Sequence, residues 1–352
     1  MKKLLFYALF STCLYISAHA QDTTTENSPP LISGYADAYY KYNFNKNTTD
    51  NKTSFTNSQN SFELGMISLK VQHSFGKVSL LGDLGFGKRA EDFSYNDENT
   101  SLAIKQLYMS YAPADWVKLS IGSFATHVGY ELVDANLNRN YSMSYMFSYG
   151  PFFHTGVKAD FTAGSSTFMI GVFNPNDYKY APVDSKKYIG AQWGFAPSES
   201  GFSSFLNYIG GKNTEDVRND QVDLVMNYKV SDHFSLGYDG TYSHYKMPDD
   251  SKTSWWGSAL YLNGDFNDHV GLTFRGEYFS DKDGMTVFTD PEAFPDGGNV
   301  LSFTLSLDYK IGPLTLIPEI RLDNASENLF NKANGDPTKS SPSALFAAIY
   351  TF

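Results

Sequence analysis

Long segments of this chain alternate apolar and polar residues one by one, and no apolar run reaches the eighteen or so residues of a membrane-spanning helix. In the first segment Ile32, Gly34, Ala36, Ala38, Tyr40, Tyr42 and Phe44 alternate with Ser33, Tyr35, Asp37, Tyr39, Lys41 and Asn43. Val222, Leu224, Met226, Tyr228 and Val230 alternate with Gln221, Asp223, Asn227 and Lys229. Leu301, Phe303, Leu305, Leu307 and Tyr309 do so with Ser302, Thr304, Ser306 and Asp308. Successive side chains of a strand point to opposite faces, so each segment is a strand with one greasy face. These segments are long. Globular strands average about 5–6 residues, whereas a tilted strand needs roughly 9–11 to cross hydrocarbon.

The connections between segments alternate too. Short turns fall near Ser74–Lys77, Pro113–Asp115, Ala163–Ser166, Pro197–Gly201, Ser231–His233, Phe266–His269 and Gly312–Pro313. Long connections fall near Asn45–Gln59, Glu91–Thr100, Thr126–Pro151, Pro175–Lys187, Lys212–Asn219, Met247–Thr253, Asp281–Gly298 and Asn324–Ser341. These boundaries separate about sixteen strands, an even count that suits an all-β transmembrane antiparallel barrel with short periplasmic turns and long extracellular loops. At that size a barrel leaves an aqueous channel. The alternation blurs at Phe62–Lys70 and Leu102–Met109, where Lys105 falls on the apparent lipid face; a bulge or a misplaced boundary would account for it.

The ends fit the same picture. Lys2 and Lys3, the apolar stretch Leu4–Ile16 and Ala18-His19-Ala20 predict a secretory signal peptide over residues 1–20. A polar lead-in over 21–30 and a barrel domain over 31–352 would follow. The single cysteine, Cys13, would leave with the signal, so the mature chain would hold no disulfide. The last strand places Ala344, Phe346, Ala348, Tyr350 and Phe352 on one face. Left unpaired, it would be an aggregation-prone edge, and pairing with the first strand removes that liability. A terminal Phe352 also resembles the signal read by the outer-membrane barrel assembly machinery. Aromatic residues make up 16% of the chain, as girdles at two membrane interfaces require. The formal net charge of −11 argues against nucleic acid as a partner, because binding phosphates takes basic patches.

The opening strand ISGYADAYYKYNF, the block GYELVDANLNRNYSMSYMFSYGPFFHTGVKADF over 129–161 and GVFNPNDY over 171–178 resemble the OmpL-like family of β-barrel outer-membrane porins. The resemblance covers nearly the whole mature chain. It implies an outer-membrane location, contact with outer-membrane lipid and passive transport, with no catalytic residues to carry over. Many sixteen-stranded porins are trimers. No interface is legible in this sequence, so a homo-oligomer stays open.

In a pore, selectivity comes from charge and shape along the wall. The polar faces offer Asp37, Lys41, Asp83, Lys118, Lys158, Asp160, Asp223, Lys229, Asp239, Arg275, Glu277, Asp308, Lys310, Glu319 and Arg321 as pore-lining candidates, joined by Lys70, Arg89, Asp265 and Asp323. Two readings stand: these charges pair with neighbours and brace the wall, or they form a transverse field at a constriction. The longest connection, Thr126–Pro151, carries Tyr130, Glu131, Asp134, Asn138, Arg139 and Tyr141. It would either fold into the lumen as a constriction or cap the barrel outside. Inward Tyr35, Tyr39, Tyr108 and Tyr245 hint at an aromatic track for sugars.

The eight long connections hold 20 acidic and 12 basic residues, a negative mouth that would favour cations at low salt. No catalytic site is legible. His127, His154 and His244 lie away from the short turns, but no nucleophile motif accompanies them. Metal-ligand spacings are absent from the sequence, and no cofactor is implied. The expected function is a porin for small polar solutes and ions with mild cation preference. A substrate-specific channel, for example for oligosaccharides, and a non-conducting structural or adhesion barrel are the alternatives.

Overall fold

The computed structural model describes residues 29–47, 50–213 and 215–352. The signal peptide expected over 1–20, and the lead-in up to residue 28, lie outside the described residues. Sixteen strands form one closed antiparallel barrel. They are β1 (Leu31–Asn43), β2 (Ser61–Phe75), β3 (Val78–Phe86), β4 (Ile104–Ala114), β5 (Val117–Ala125), β6 (Phe153–Ala163), β7 (Ser166–Phe173), β8 (Tyr188–Phe195), β9 (Phe202–Lys212), β10 (Arg218–Lys229), β11 (Phe234–Lys246), β12 (Lys252–Asp265), β13 (Val270–Asp281), β14 (Gly298–Ile311), β15 (Leu314–Ala325) and β18 (Ser340–Thr351). A two-stranded ribbon, β16 (Phe330–Asn331) with β17 (Pro337–Thr338), lies within the last long connection and buries Phe330. A short helix, α1 (Lys88–Phe93), follows β3 and carries Arg89.

Each barrel strand hydrogen-bonds to its sequence neighbours, and β1 pairs with β18 from Tyr35↔Thr351 to Asn43↔Ser343 to close the ring. Phe352 N donates to Gly34 O and Gly34 N to Phe352 O, both at 2.9 Å, so the terminal residue completes the seam. The last strand therefore has no free edge. Two-residue turns at one end place Gly76, Gly164 and Gly312 first, at φ of +54°, +58° and +58°, where a β-carbon would be strained.

The alternation becomes an inside and an outside. Ile32, Leu64, Leu80, Met109, Ile121, Leu206 and Ile320 are exposed on the outer surface, with Trp116, Trp193, Tyr242, Trp256 and Tyr350 toward its two ends. Both blurred stretches are bulges. The β1/β2 register shifts between Ala36 and Ala38, and Gly65 and Met66 are consecutively buried. A β-carbon on Gly65 would overlap the Asp37 carboxylate, so the bulge needs glycine there. The β3/β4 register shifts between Asp83 and Leu84, opposite Lys105. That extra residue turns Lys105 inward, where it is 4% exposed. The apparent lipid-facing lysine is thus an interior one.

The inner wall is less uniformly polar than strict alternation suggests. Trp255, Tyr261, Phe279 and Val300 face inward in one apolar cluster, and Ile317, Leu345, Ala347 and Ile349 in another. These clusters cover chain that has folded into the barrel, which gives the molecule a packed interior.

Candidate functional site

The segment 126–152, between β5 and β6, lies inside the barrel. Ala135, Tyr141, Met143 and Tyr145 are fully buried there. The helix α2 (Tyr145–Tyr149) forms within it, capped by Ser144, whose Oγ accepts from Phe147 N at 3.1 Å.

Wall carboxylates hold this loop by its backbone. Gly129 N donates to Asp223 at 3.0 Å and Tyr130 N to Asp239 at 3.3 Å. Tyr141 N and Ser142 N donate to Glu319 at 2.8 and 3.2 Å. Tyr145 N and Met146 N each donate to a different oxygen of Glu277 at 2.9 Å, which satisfies the first free amides of α2. The Tyr141 hydroxyl bonds Asp37, and Asn140 Nδ2 donates to Ser306 Oγ at 2.7 Å. Each of these bonds satisfies a loop donor that would otherwise be buried without a partner, so these acids act as anchors.

Ion pairs complete the fastening. Glu131 of the loop pairs with Arg275 on β13, Asp134 with Lys105 on β4, and Arg139 with Asp265 on β12. Lys105 also reaches Asp83 at 3.1 Å, and Lys70 lies 3.6 Å from the same carboxylate. Arg321 pairs with Asp323 at 3.0 Å and donates to Met143 O at 2.6 Å. Arg89 sits between the rings of Phe55 and Tyr141 and donates to Val133 O at 3.1 Å. Lys41 is bound by Asn51 Oδ1 at 2.7 Å and Thr56 O at 2.9 Å, both from the first long connection.

The fifteen wall candidates occupy inward-facing positions at two levels. Asp37, Lys41, Asp83, Asp223, Asp239, Arg275, Glu277, Glu319 and Arg321 are buried at the level of the loop. Toward the short-turn end, Lys118, Lys158, Asp160 and Lys310 are half-buried, Asp308 is buried and Lys229 is exposed. Lys158 and Asp160 bond each other at 3.2 Å, and Lys229 pairs with Asp232 at 2.6 Å. Among the six loop candidates, Glu131 and Tyr141 reach the wall directly, and so do Asp134, Arg139 and the Tyr130 amide. Asn138 instead bonds Leu132 and Asp134 within the loop.

Tyr35 and Tyr39 pack against the loop, so they form no open aromatic track. His127 and His154 are also interior, with ring centroids 4.9 Å apart beside Phe173. The interior Trp255 and Phe279 escaped the sequence reading; the doublet Trp255-Trp256, split between the two faces, was the available signal.

At the long-loop end, Asp177 joins three connections. It accepts from Phe152 N and Phe153 N at 2.7 and 3.0 Å and from the Tyr95 hydroxyl at 2.8 Å. Burial pushes its carboxyl up to about 6 against these donors. A polar cavity of about 540 Å³ opens nearby, lined by Asn51, Lys52, Glu91, Asp92 and Tyr149 among others.

Solved barrels share this architecture. An anion-selective porin from Comamonas acidovorans aligns with a TM-score of 0.64 at 11% identity, over 93% of this chain and 100% of that one. The outer-membrane channel DcaP of Acinetobacter baumannii aligns at 0.62 and 12% identity, over 92% and 97%. OmpT of Vibrio cholerae aligns at 0.58 and 13% identity, over 94% and 100%, and a trimer form of OmpT is among the similar structures. No curated protein sequence matches. The family described as "Putative beta-barrel porin-2, OmpL-like" matches residues 31–352, the whole described barrel. By that match the chain belongs to the OmpL-like β-barrel porins and is an outer-membrane protein.

Proposed function

We propose that this barrel lets small polar solutes and ions diffuse passively across the outer membrane, along a path narrowed by loop 126–152, with mild preference for cations. The observation that carries the reading is the loop's position, anchored inside the barrel from β10 round to β15 and on to β1 and β4. The half-buried charges below it, Lys118, Lys158, Asp160 and Lys310, would line the periplasmic vestibule. The acidic surplus of the seven other long connections, 18 against 11, supports cation preference, because a negative mouth concentrates cations within about a Debye length. The Comamonas porin is anion-selective, so fold alone assigns no sign.

Deleting Leu132–Ser144 should raise single-channel conductance in planar bilayers; a refolded deletion barrel of unchanged conductance would reject the constriction. Reversal potentials in a salt gradient should show cation preference that fades as salt rises, and anion preference would reject it. The burial of the wall charges at the loop level favours a second reading, a structural barrel with a blocked lumen. Refolded wild type without conductance steps would assign that role. The reading extends to association into homo-oligomers, and to readout of Phe352, whose ring is exposed, by the assembly machinery.

A further inference from the structure

Four basic residues stand directly opposite one another on adjacent strands of the outer wall. Arg218 of β10 pairs in register with Lys212 of β9 and with Lys246 of β11, and Lys246 pairs with Lys252 of β12. All four are exposed and share the outward parity of Tyr208, Val222, Tyr242 and Trp256. At about 4.8 Å per strand the row spans roughly 14 Å. Like charges directly opposite in a sheet repel, so the row is costly unless something anionic meets it.

Local carboxylates meet it in part. Asp220 accepts two bonds from Arg218, at 2.6 and 2.7 Å, Asp250 lies 2.6 Å from Lys246, and Asp216 lies 3.6 Å from Lys212. The basic partners of these pairs are nearly half exposed, and exposed pairs hold weakly enough for a competing anion to replace them.

The row's height names the anion. Tyr208, Val222, Tyr242 and Trp256 form the register row four residues nearer the membrane centre. Aromatic rings of this kind sit at the hydrocarbon–headgroup boundary. Four residues on a tilted strand raise the basic row by roughly 10 Å, to the outer edge of a headgroup layer about 5–8 Å thick. Long basic side chains can bend back to reach it. We propose that Lys212, Arg218, Lys246 and Lys252 form a docking surface for the anionic phosphate of outer-leaflet lipid headgroups. This rests on the barrel's place in the outer membrane and not on whether it conducts.

The test is native mass spectrometry of the barrel released from mixed micelles holding equal phosphatidic acid and phosphatidylcholine. Wild type should retain phosphatidic acid roughly tenfold more often. The quadruple variant K212Q/R218Q/K246Q/K252Q should lose most of that preference, and K252Q alone, the mildest change, should lose part of it. Refolding is checked by the barrel's heat-shifted electrophoretic mobility. No preference in wild type, or an unchanged preference in both variants, would overturn the proposal. So would equal displacement of the lipid by inorganic phosphate at the same concentration, which would mark a site for free anions.

Discussion

Replacing Arg275 with methionine should release the loop before it unfolds the barrel. Arg275 is fully buried, pairs with Glu131, and donates to Ser142 O at 2.8 Å and Thr304 Oγ1 at 3.0 Å. Glu131 keeps Ser144 N at 2.7 Å and the Tyr261 hydroxyl at 3.3 Å, but no cation replaces the guanidinium. An uncompensated buried charge of this kind costs about 3–5 kcal/mol. Glu131 sits on the loop, so the strain can be relieved by the loop leaving its seat while the strands stay paired. At 1.4 kcal/mol per decade, the undocked population should rise by roughly 150- to 4,000-fold. Arg139 supplies a reporter: it is a trypsin site half-hidden in the docked loop. R275M should be cut there far faster than wild type while retaining a folded barrel's electrophoretic shift, and it should show larger, noisier conductance steps. R275M/E131Q, which removes the stranded charge and keeps an acceptor, should recover at least half of the protection. Cleavage and conductance both matching wild type, or a double variant no better protected than the single, would refute the reasoning.

Other expectations follow from buried charges elsewhere. The Asp177 carboxyl is raised to about 6 against an ordinary 3.8, so the folded state holds its proton more tightly than the unfolded chain does. Stability therefore falls as pH rises from about 4 to 6 and is flat above, a loss on the order of 2–3 kcal/mol. Exchange of the Phe152 and Phe153 amides, corrected for intrinsic rate, should show that loss, and D177N should abolish the pH dependence; protection that instead grows from pH 4 to 6 would contradict it. Lys105→Met leaves Asp83 with the Ser68 hydroxyl and, as its nearest cation, Lys70 at 3.6 Å, and Asp134 with no lysine, so it should destabilise the barrel by about 3 kcal/mol or more in urea titrations. Adding D83N should restore part of that loss, and strict additivity would count against the buried cluster.

Much of the fold was legible because a strand's side-chain period is two and lipid punishes every exception on the outer face. Ile32 to Phe44 announced β1 to within a residue, and the smear at Phe62–Lys70 marked a real bulge where Gly65 yields to Asp37. Lys105 looked misplaced because an inserted residue reverses parity, and parity is all that alternation can report. The destination of loop 126–152 was not legible. It is decided by partners such as Arg275 and Glu319, which lie 144 and 178 residues from Glu131 and Tyr141. Inward Phe279 and Trp255 were hidden for the same reason: they are apolar because α2 packs on them, and nothing local in β12 or β13 records that.

The wall's charges therefore divide by what their loss would mean. Glu277 and Glu319 each accept two loop amides, and Asp223 and Asp239 accept one each, so neutralising any of them should alter loop position as well as potential. A change in ion preference after E277Q would not separate the two causes. Lys118 and Lys310 have no contact with the loop among the hydrogen bonds and ion pairs described, and they stand half-buried toward the short-turn end. If the barrel conducts as proposed, charge there would act on a passing ion without moving the loop, and the solvated vestibule would screen it. On the proposed reading, ion preference would depend on loop seating first and on the vestibule second, because a carboxylate that accepts loop amides sets the position of the constriction as well as the potential within it.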